Sequence, residues 1–353
     1  MSTRAEAPLS IALRGSSALQ MWRSLALLEA RALDERQQRW ERGDFTHDAL
    51  PEPRASAVLA RGRQNLPADY SLRASSDAAA SLAARFSLDL PLQVQVSAAV
   101  QRRSTSTLKA RLLALPPTPQ FLMLEPGVFV ASPELALFDV AAELEEPELL
   151  LAACELCAIY SPEPDTGRLL ERPQIARGAV LEELAGQMGS SKGVRQAHFA
   201  ASAVLERSRS PRETQLGLIL SLPSSRGGYG LARPLLNHPL ELCSAAAQVY
   251  GRGICECDLF FEKASIAVFY DGEETHLNRR QQHNDALRHN ALAVQGITEL
   301  VITNSQIKSI EKMDRVAGII ATALGKKPCS RKDFKARQLR LHRMLLSPAS
   351  GAR

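Results

Sequence analysis

Residues 257–276, with the sequence CDLFFEKASIAVFYDGEETH, predict two short hydrophobic strands joined by the polar turn Glu262-Lys263. Each strand carries one carboxylate, Asp258 or Asp271, in otherwise apolar company. Burying a charge costs several kcal/mol unless the charge is paired or holds a metal. We therefore attribute the two aspartates to a divalent-ion site, or to the remains of one.

Side chains alternate between the two faces of a strand, and this alternation fixes which residues can meet. It predicts that Asp258 shares a face with Glu256 and Phe260, and that Asp271 shares a face with Phe269. If the two strands pair as neighbours, Asp258 and Asp271 can meet at one end of the sheet. Glu256 lies on the same predicted face and could add a further carboxylate.

The composition is that of a folded, mildly basic protein. The chain has 353 residues, of which 45% are hydrophobic, so it has material for packed cores and a length typical of two domains. The formal net charge is +5, and abundant Ala, Leu and Arg favour helices. A basic surplus of this size is compatible with a nucleic-acid partner but does not require one.

The sequence predicts a cytoplasmic protein without a membrane segment. The apolar run near Ile11 is interrupted by Arg14, so we expect neither a signal peptide nor a membrane span. In that compartment the six cysteines are expected to be reduced thiols. The Cys154/Cys157 pair has the spacing of half a zinc site, but no second pair accompanies it, so we expect core thiols there and at Cys255/Cys257.

Four segments follow from breaks in composition. We expect a helical and irregular N-terminal segment (1–74), an α+β domain (75–209), an α/β domain (210–325) and a basic C-terminal tail (326–353). The first segment contains a predicted helix, Ser16–Ala32, whose apolar residues recur at helical spacing, and a short predicted helix at Ala55–Arg61.

Residues 90–160 show a short pattern of strands followed by a helix. Leu90–Ser97 is predicted as a strand, Phe121–Val130 as a hairpin, and Ser132-Pro133-Glu134 as the start of a helix. Together with Asp139-Val140-Ala141, this part resembles the C-terminal portion of AbiEi-type antitoxin and regulator proteins of phage defence. The winged helix with which such regulators begin is not recognisable in this sequence.

The C-terminal domain begins with a capping motif. Ser210-Pro211-Arg212-Glu213 predicts a helix start, and Glu213 could serve only to cap that helix. After the hairpin come a helix at Arg279–Gln295, a buried strand at Ile297–Thr303 and a helix at Ser305–Leu324. This order predicts a small α/β sandwich with a crossover connection, preceded by a mostly helical α+β domain.

Residues 210–305 resemble the PD-(D/E)XK endonuclease superfamily, in the branch similar to the very-short-patch mismatch endonuclease. The matching pieces are Glu213 on the first helix, Asp258 in the first hairpin strand, Asp271-Gly272 at the end of the second, His276, Asp285 and Arg288 on the next helix, and Gly296 before the last strand. The resemblance implies a restriction-endonuclease-like sandwich.

The resemblance also implies a catalytic set and a Mg²⁺ ion. Asp258 would be the main metal ligand, the carbonyl beside Asp271 a second, and Glu213 would orient a water. His276 would act as general acid or base, or it is simply a polar residue on a loop.

The chain departs from the superfamily pattern at the second strand. Many relatives have a Glu where this sequence has Phe269, and the Lys of the superfamily name is replaced by Asp271. The mismatch-endonuclease branch has an apolar residue at the first of these positions but a His at the second. The sequence therefore mixes the two patterns and completes neither.

Two functions follow from these observations. The first is a Mg²⁺-dependent endonuclease acting on DNA in bacterial defence or repair. The second is a non-catalytic DNA-binding regulator that keeps the nuclease fold, with a possible operon partner in either case. Basic residues near the hairpin and in the tail are candidates for DNA contact: Arg279, Arg280, Arg288, Lys326, Lys327, Arg331 and Lys332.

Overall fold

The computed structural model describes residues 10–44, 50, 53–272, 279–327 and 332–346. The chain divides into two compact units, unit 1 (Met1–Val204) and unit 2 (Leu205–Arg353). Helices and strands alternate in both, so the predicted mixed α/β class is confirmed. Within the described ranges, no helix is long and apolar enough to cross a membrane.

Unit 1 is a five-stranded mixed sheet with helices and a small two-stranded sheet around it. Its elements in chain order are β1 (Ile11–Leu13), α1 (Gly15–Glu41), α2 (Ala55–Ala60), α3 (Ser76–Phe86), β2 (Leu92–Gln95), β3 (Leu108–Arg111), β4 (Phe121–Glu125), β5 (Val128–Ala131), α4 (Pro133–Val140), α5 (Glu146–Leu156), β6 (Tyr160–Pro162), β7 (Leu169–Glu171), α6 (Gly178–Gln187) and α7 (Val194–Ala203).

The N-terminal strand β1 lies at the centre of this sheet, whose strand order is β3-β2-β1-β5-β4. It pairs parallel with β5 and antiparallel with β2, and its three residues are fully buried. The expectation of a separate segment at 1–74 therefore differs from the structure, in which residues of that segment complete the sheet of 75–209. A three-residue apolar strand is too short for its periodicity to be recognised.

A buried ion pair joins the start of α1 to α4. The Arg14 guanidinium, fully buried, donates to both carboxylate oxygens of Asp139, at 2.6 and 2.7 Å. It also donates to the Oε1 atom of Gln95 at 2.9 Å, and the Gly15 N–H donates to Asp139. This network explains why Gln95 of β2 is buried with the apolar residues of the strand, although a strand with alternating polarity normally exposes one face.

The predicted hairpin and the helix after it are confirmed. The chain turns at Gly127, in the left-handed conformation at φ 78°, between antiparallel β4 and β5. The Ser132 hydroxyl then accepts a hydrogen bond from the Leu135 N–H, and Pro133 begins α4, as the capping pattern indicated. The predicted helix at Ser16–Ala32 is present within the longer α1.

Unit 2 contains a four-stranded mixed sheet with the order β11-β10-β9-β8. Its elements are α8 (Pro211–Ser221), β8 (Leu235–Glu241), α9 (Ser244–Tyr250), β9 (Ile254–Phe261), β10 (Ile266–Asp271), α10 (Arg279–Val294), β11 (Thr298–Thr303), α11 (Asn304–Ile307), α12 (Ile310–Ala323) and α13 (Phe334–Leu346).

Two strands of this sheet differ from the sequence-based expectation. β8 was not predicted as a strand, and its Pro239, which cannot donate to a neighbouring strand, is unusual in a central strand. The structure accommodates it because β8 is an edge strand, paired only with β9 in the four-stranded order. The last strand, β11, is the other edge and is mostly half-buried or exposed, so its predicted full burial is wrong.

Removing Asp139 is expected to destabilise unit 1 strongly, because Arg14 would remain buried without its counter-charge. Asp139→Ala should lower the free energy of unfolding by about 3–5 kcal/mol. The transition can be followed by tryptophan fluorescence during denaturant unfolding, since both tryptophans, Trp22 and Trp40, lie in unit 1. Arg168→Ala, which removes a largely exposed pair with Asp34, is the control and should cost less than about 1 kcal/mol.

Candidate functional site

Asp258 lies where β9 and β10 part. The two strands pair from Phe261↔Ile266 to Leu259↔Val268, and their register ends there. Beyond that point β9 remains paired with β8, while β10 remains paired with β11 as far as Asp271↔Thr303. The Asp258 carboxylate accepts the Tyr270 N–H at 2.6 Å, so it occupies the place of a missing strand-to-strand bond and lies beside the backbone that leads to Asp271.

Glu213 approaches from α8 and is 7% exposed. Its carboxylate accepts hydrogen bonds from the Arg209 N–H at 2.8 Å and from the Ser210 hydroxyl at 2.9 Å. In turn, the Ser210 hydroxyl caps α8 by accepting the Glu213 N–H, which confirms the predicted capping role of Ser210. Glu213 therefore does bind the start of its own helix, but it also reaches a partner on the sheet.

That partner is Asn237 in β8, which sequence reasoning missed because β8 was not recognised. Its Nδ2 atom donates to Glu213 at 2.6 Å and to the Arg207 carbonyl at 2.9 Å. Asn237 is 2% exposed and has a left-handed backbone at φ 46°, a conformation that Asn tolerates better than most residues. The pairs on either side, Leu236↔Leu259 and His238↔Cys257, place it across from Asp258.

The irregularity at Asn237 also changes the face pattern of β9. Strict alternation would put Cys257 and Phe260 on opposite faces, as predicted, but both belong to one apolar cluster with Cys255, Phe269 and Leu292. Alternation is therefore interrupted between Cys257 and Phe260, at the position of Asp258. The prediction that Cys255 and Cys257 face away from Phe260 is wrong for this reason.

The environment raises the pKa of the buried Glu213 carboxyl group and of the half-buried Asp258 carboxyl group. For Glu213 the cause is first burial and then the negative charge of Asp258, opposed by its three hydrogen-bond donors. For Asp258 the cause is burial, opposed by the Tyr270 N–H and by the charges of Arg288 and Arg209. The negative charge of Asp258 in β9 thus contributes to the raised pKa of Glu213 in α8.

Arg209 lies beside this pair and binds Glu256. Its Nη1 atom donates to the Glu256 carboxylate, which lowers the pKa of Glu256 below its ordinary value, and to the Asn237 Oδ1 atom at 3.4 Å. Glu256 is exposed and is engaged by this arginine. The contact gives Glu256 a role in holding Arg209, distinct from the extra metal ligand suggested by the sequence.

Arg288 on α10 is held by three groups. Its guanidinium lies 4.0 Å from the ring centroid of Phe269 and donates to Glu299 and to Asp285, at 2.9 and 2.8 Å. Glu299 also bonds His289 at 2.7 Å. Phe269 thus presents an aromatic ring with a cation stacked over it.

The other predicted site residues are distributed as follows. Asp271 ends β10 and is exposed, while His276 and Arg331 lie outside the described residues. Arg279 and Arg280 begin α10, and their side chains also lie outside the described part. Lys326, Lys327 and Lys332 are exposed, and the Lys326 ammonium donates to the Gly230 carbonyl at 2.7 Å.

The cysteine pairs behave as core thiols, as predicted. Cys154, Cys157, Cys255 and Cys257 are all buried and not bridged. Burial raises the pKa of the Cys257 thiol to about 12, with smaller contributions from neighbouring negative groups. Such a thiol remains protonated at neutral pH and does not act as a nucleophile.

Across the described ranges, no three Asp, Glu, His or Cys side chains come together as a group that could hold a metal ion. Comparisons of the chain with models of known protein families, with curated protein sequences and with solved structures found no match. Interpretation of the site therefore rests on the residues and their geometry.

Asp258→Asn should stabilise unit 2 at neutral pH in the absence of divalent ions. A carboxyl whose folded pKa is raised loses its favourable contribution as pH rises above its ordinary value, so the ionised Asp258 destabilises the fold there. Asparagine keeps an oxygen for the Tyr270 N–H and carries no charge. Denaturant-dependent hydrogen exchange of β9 and α8 measures the effect.

The gain in stability from Asp258→Asn should disappear near pH 4 and below, where the native carboxyl is protonated and therefore also uncharged. Glu262→Gln removes an exposed carboxylate in the turn of the same hairpin. This control should leave the free energy of unfolding unchanged both at neutral pH and near pH 4. Equal stability of wild type and Asp258→Asn at pH 8 would contradict the expectation.

Proposed function

We propose that unit 2 is a Mg²⁺-dependent endonuclease domain that hydrolyses DNA phosphodiester bonds. The observation that carries this proposal is that two carboxylates, the buried Glu213 and the half-buried Asp258, approach the point where β9 and β10 part. Repelling buried carboxylates reduce stability unless a cation offsets their charge, so their proximity needs a functional reason. The helix α8, the hairpin of β9 and β10, the helix α10 and the strand β11 parallel to β10 also support the proposal.

The donor set at this point suits a hard cation. Mg²⁺ prefers oxygen ligands and retains several waters, so one carboxylate and one carbonyl are enough protein ligands. In this proposal Asp258 supplies a carboxylate oxygen, and the backbone beside Asp271 supplies a carbonyl. When bound, Mg²⁺ neutralises charge on the scissile phosphate and activates water.

The chain's own residues have distinct tasks in the proposal. The Tyr270 N–H fixes the orientation of Asp258 through one carboxylate oxygen. Glu213, held by Arg209, Ser210 and Asn237, orients a water molecule beside Asp258. His276 is the candidate general acid or base. A setting in bacterial defence or repair, in the cytoplasm, stays a prediction.

Calorimetric titration with Mg²⁺ and a plasmid-nicking assay on the same samples test the proposal. Wild-type protein should bind Mg²⁺ and nick DNA only when the ion is present. Asp258→Asn should lose both properties, with nicking reduced by at least about a hundredfold, and keep its affinity for DNA. Glu262→Gln removes the same charge from the far end of the hairpin and should match wild type.

Wild-type protein that neither binds Mg²⁺ nor nicks DNA would overturn the nuclease proposal. Nicking that persists in Asp258→Asn would show that the activity belongs to another site or to a contaminant.

The stacking of Arg288 on Phe269 favours a second candidate, a DNA-binding protein that keeps the nuclease fold without catalysis. Here the cation near Asp258 is a fixed guanidinium, and the charge of Arg288 already opposes the rise in the pKa of Asp258. Glu213 is engaged by three donors and Glu256 by Arg209, so each carboxylate has a partner within the protein.

The scaffold candidate predicts DNA binding that depends on salt and not on Mg²⁺. Each phosphate contact releases counterions, so the logarithm of the association constant should fall linearly with the logarithm of salt concentration. Exchanging the exposed Lys326, Lys327 and Lys332 for Gln should reduce that slope by about 2–3, measured by fluorescence anisotropy of a labelled duplex. An unchanged slope would show that these three lysines do not contact the DNA.

A further inference from the structure

The C-terminal helix α13 is docked on unit 2 through a face that contains two buried polar side chains. Its buried residues are Phe334, Gln338, Leu341, His342 and Leu345, which recur at helical spacing. Gln338 is fully buried and His342 is 4% exposed. Apolar residues alone would satisfy such a face, so the buried amide and imidazole need an explanation.

Gln338 belongs to a polar cluster around Asp314 of α12. The Asp314 carboxylate accepts hydrogen bonds from the Gln338 amide at 3.0 Å and from the Tyr229 hydroxyl at 2.8 Å, and it pairs with Lys335. Burial raises the pKa of Asp314, but these three donors outweigh that effect and hold it below its ordinary value. Asp314 thus remains ionised and ties α13 to α12.

The docking is close as well as polar. The rings of Phe334 and Tyr229 meet edge to face with centroids 6.0 Å apart. Gly227 has a left-handed backbone, and a Cβ atom there would lie 2.4 Å from the Arg337 carbonyl oxygen. The Arg337 guanidinium donates to the Ser225 carbonyl at 2.7 Å. Such contacts leave little space for α13 to shift while it stays docked.

His342 is the group in this interface that can change its charge near neutral pH. Neither ring nitrogen has a hydrogen-bond partner among the described residues, and the Gln338 Oε1 atom likewise has none there. A neutral imidazole without partners already reduces the stability of the interface, and a charged one would reduce it much more.

The charged and titratable groups around His342 come from each element that packs on α13. Asp314 lies on α12, Tyr229 follows the turn that contains Arg226, and Lys335 lies on α13 itself. In α8 only the first turn has such groups, Arg212 and Glu213. Burial lowers the pKa of His342; Lys335 lowers it further, and Asp314 opposes the change.

We propose that α13 is an acid-releasable element, held on unit 2 while His342 is neutral and freed when His342 takes up a proton. The geometry that supports this is a 4% exposed imidazole on the docking face of α13, with no hydrogen-bond partner among the described residues. Release would expose the apolar face of α13 and free Lys335 and Gln338 from Asp314. This inference does not depend on nuclease activity.

The direction of the pH dependence follows from proton linkage. The undocked helix has a histidine with an ordinary pKa, near 6.5, and the docked helix one with a lower pKa. Docking is therefore unaffected above about pH 7 and weakens as pH falls through that ordinary value. A single proton changes the docking equilibrium by at most about tenfold for each pH unit.

Hydrogen exchange of the full-length protein at pH 7.5 and pH 5.5, corrected for intrinsic rates, tests the proposal. Protection of 334–346 should fall by roughly tenfold at the lower pH relative to β9, which serves as the internal reference. His342→Phe replaces the imidazole by an apolar ring and should keep α13 protected at both pH values.

Two further variants complete the test, a second replacement of His342 and a control at another histidine. His342→Met offers a flexible apolar side chain, should the ring of phenylalanine fail to fit. His289→Gln removes a 63% exposed histidine on α10 and should respond to pH like wild type. The proposal is overturned if wild-type α13 is equally protected at both pH values, or if both His342 variants lose protection on acidification as wild type does.

Discussion

The cost of removing charge from water is the constraint on which both units depend. In unit 1, Arg14 is fully buried and is tolerated because Asp139 and Gln95 satisfy it, which fixes β1 and the start of α1 against α4. In unit 2, the carboxylate of Glu213 is satisfied by donors from both a helix start and a strand. Each network joins elements that are distant in sequence, so each one specifies a tertiary arrangement.

The two networks differ in how completely charge is balanced. Arg14 and Asp139 form an ion pair with opposite charges and geometry suited to two hydrogen bonds. Glu213 and Asp258 have the same sign, and the charge of Asp258 adds to the rise in the pKa of Glu213, although three donors bind the Glu213 carboxylate. A structural network has no need of such repulsion, which is why the second network is the candidate for function and the first is not.

Parts of the candidate site could be predicted from local sequence. Asp258 and Asp271 were recognisable because a carboxylate is unusual in a hydrophobic strand, and Ser210 because a capping residue has a short-range signature. Asn237 could not be found in this way, since its place in the site depends on a left-handed backbone within a strand that contains a proline. Glu256 was assigned from strand alternation and Arg288 from the resemblance, whereas their partners Arg209 and Glu299 lie outside the elements that carry them.

The sequence by itself determined the elements whose signals are local: the hairpin at β4 and β5, the capped starts of α4 and α8, the two strands β9 and β10, and the end of α10 before Gly296. Only the tertiary structure decided that β1 is the central strand of unit 1, that β9 and β10 part at Asp258, and that His342 is enclosed. The physical reason is that capping, turns and periodicity act within a few residues, whereas burial and charge balance depend on neighbours that the chain brings together from far apart.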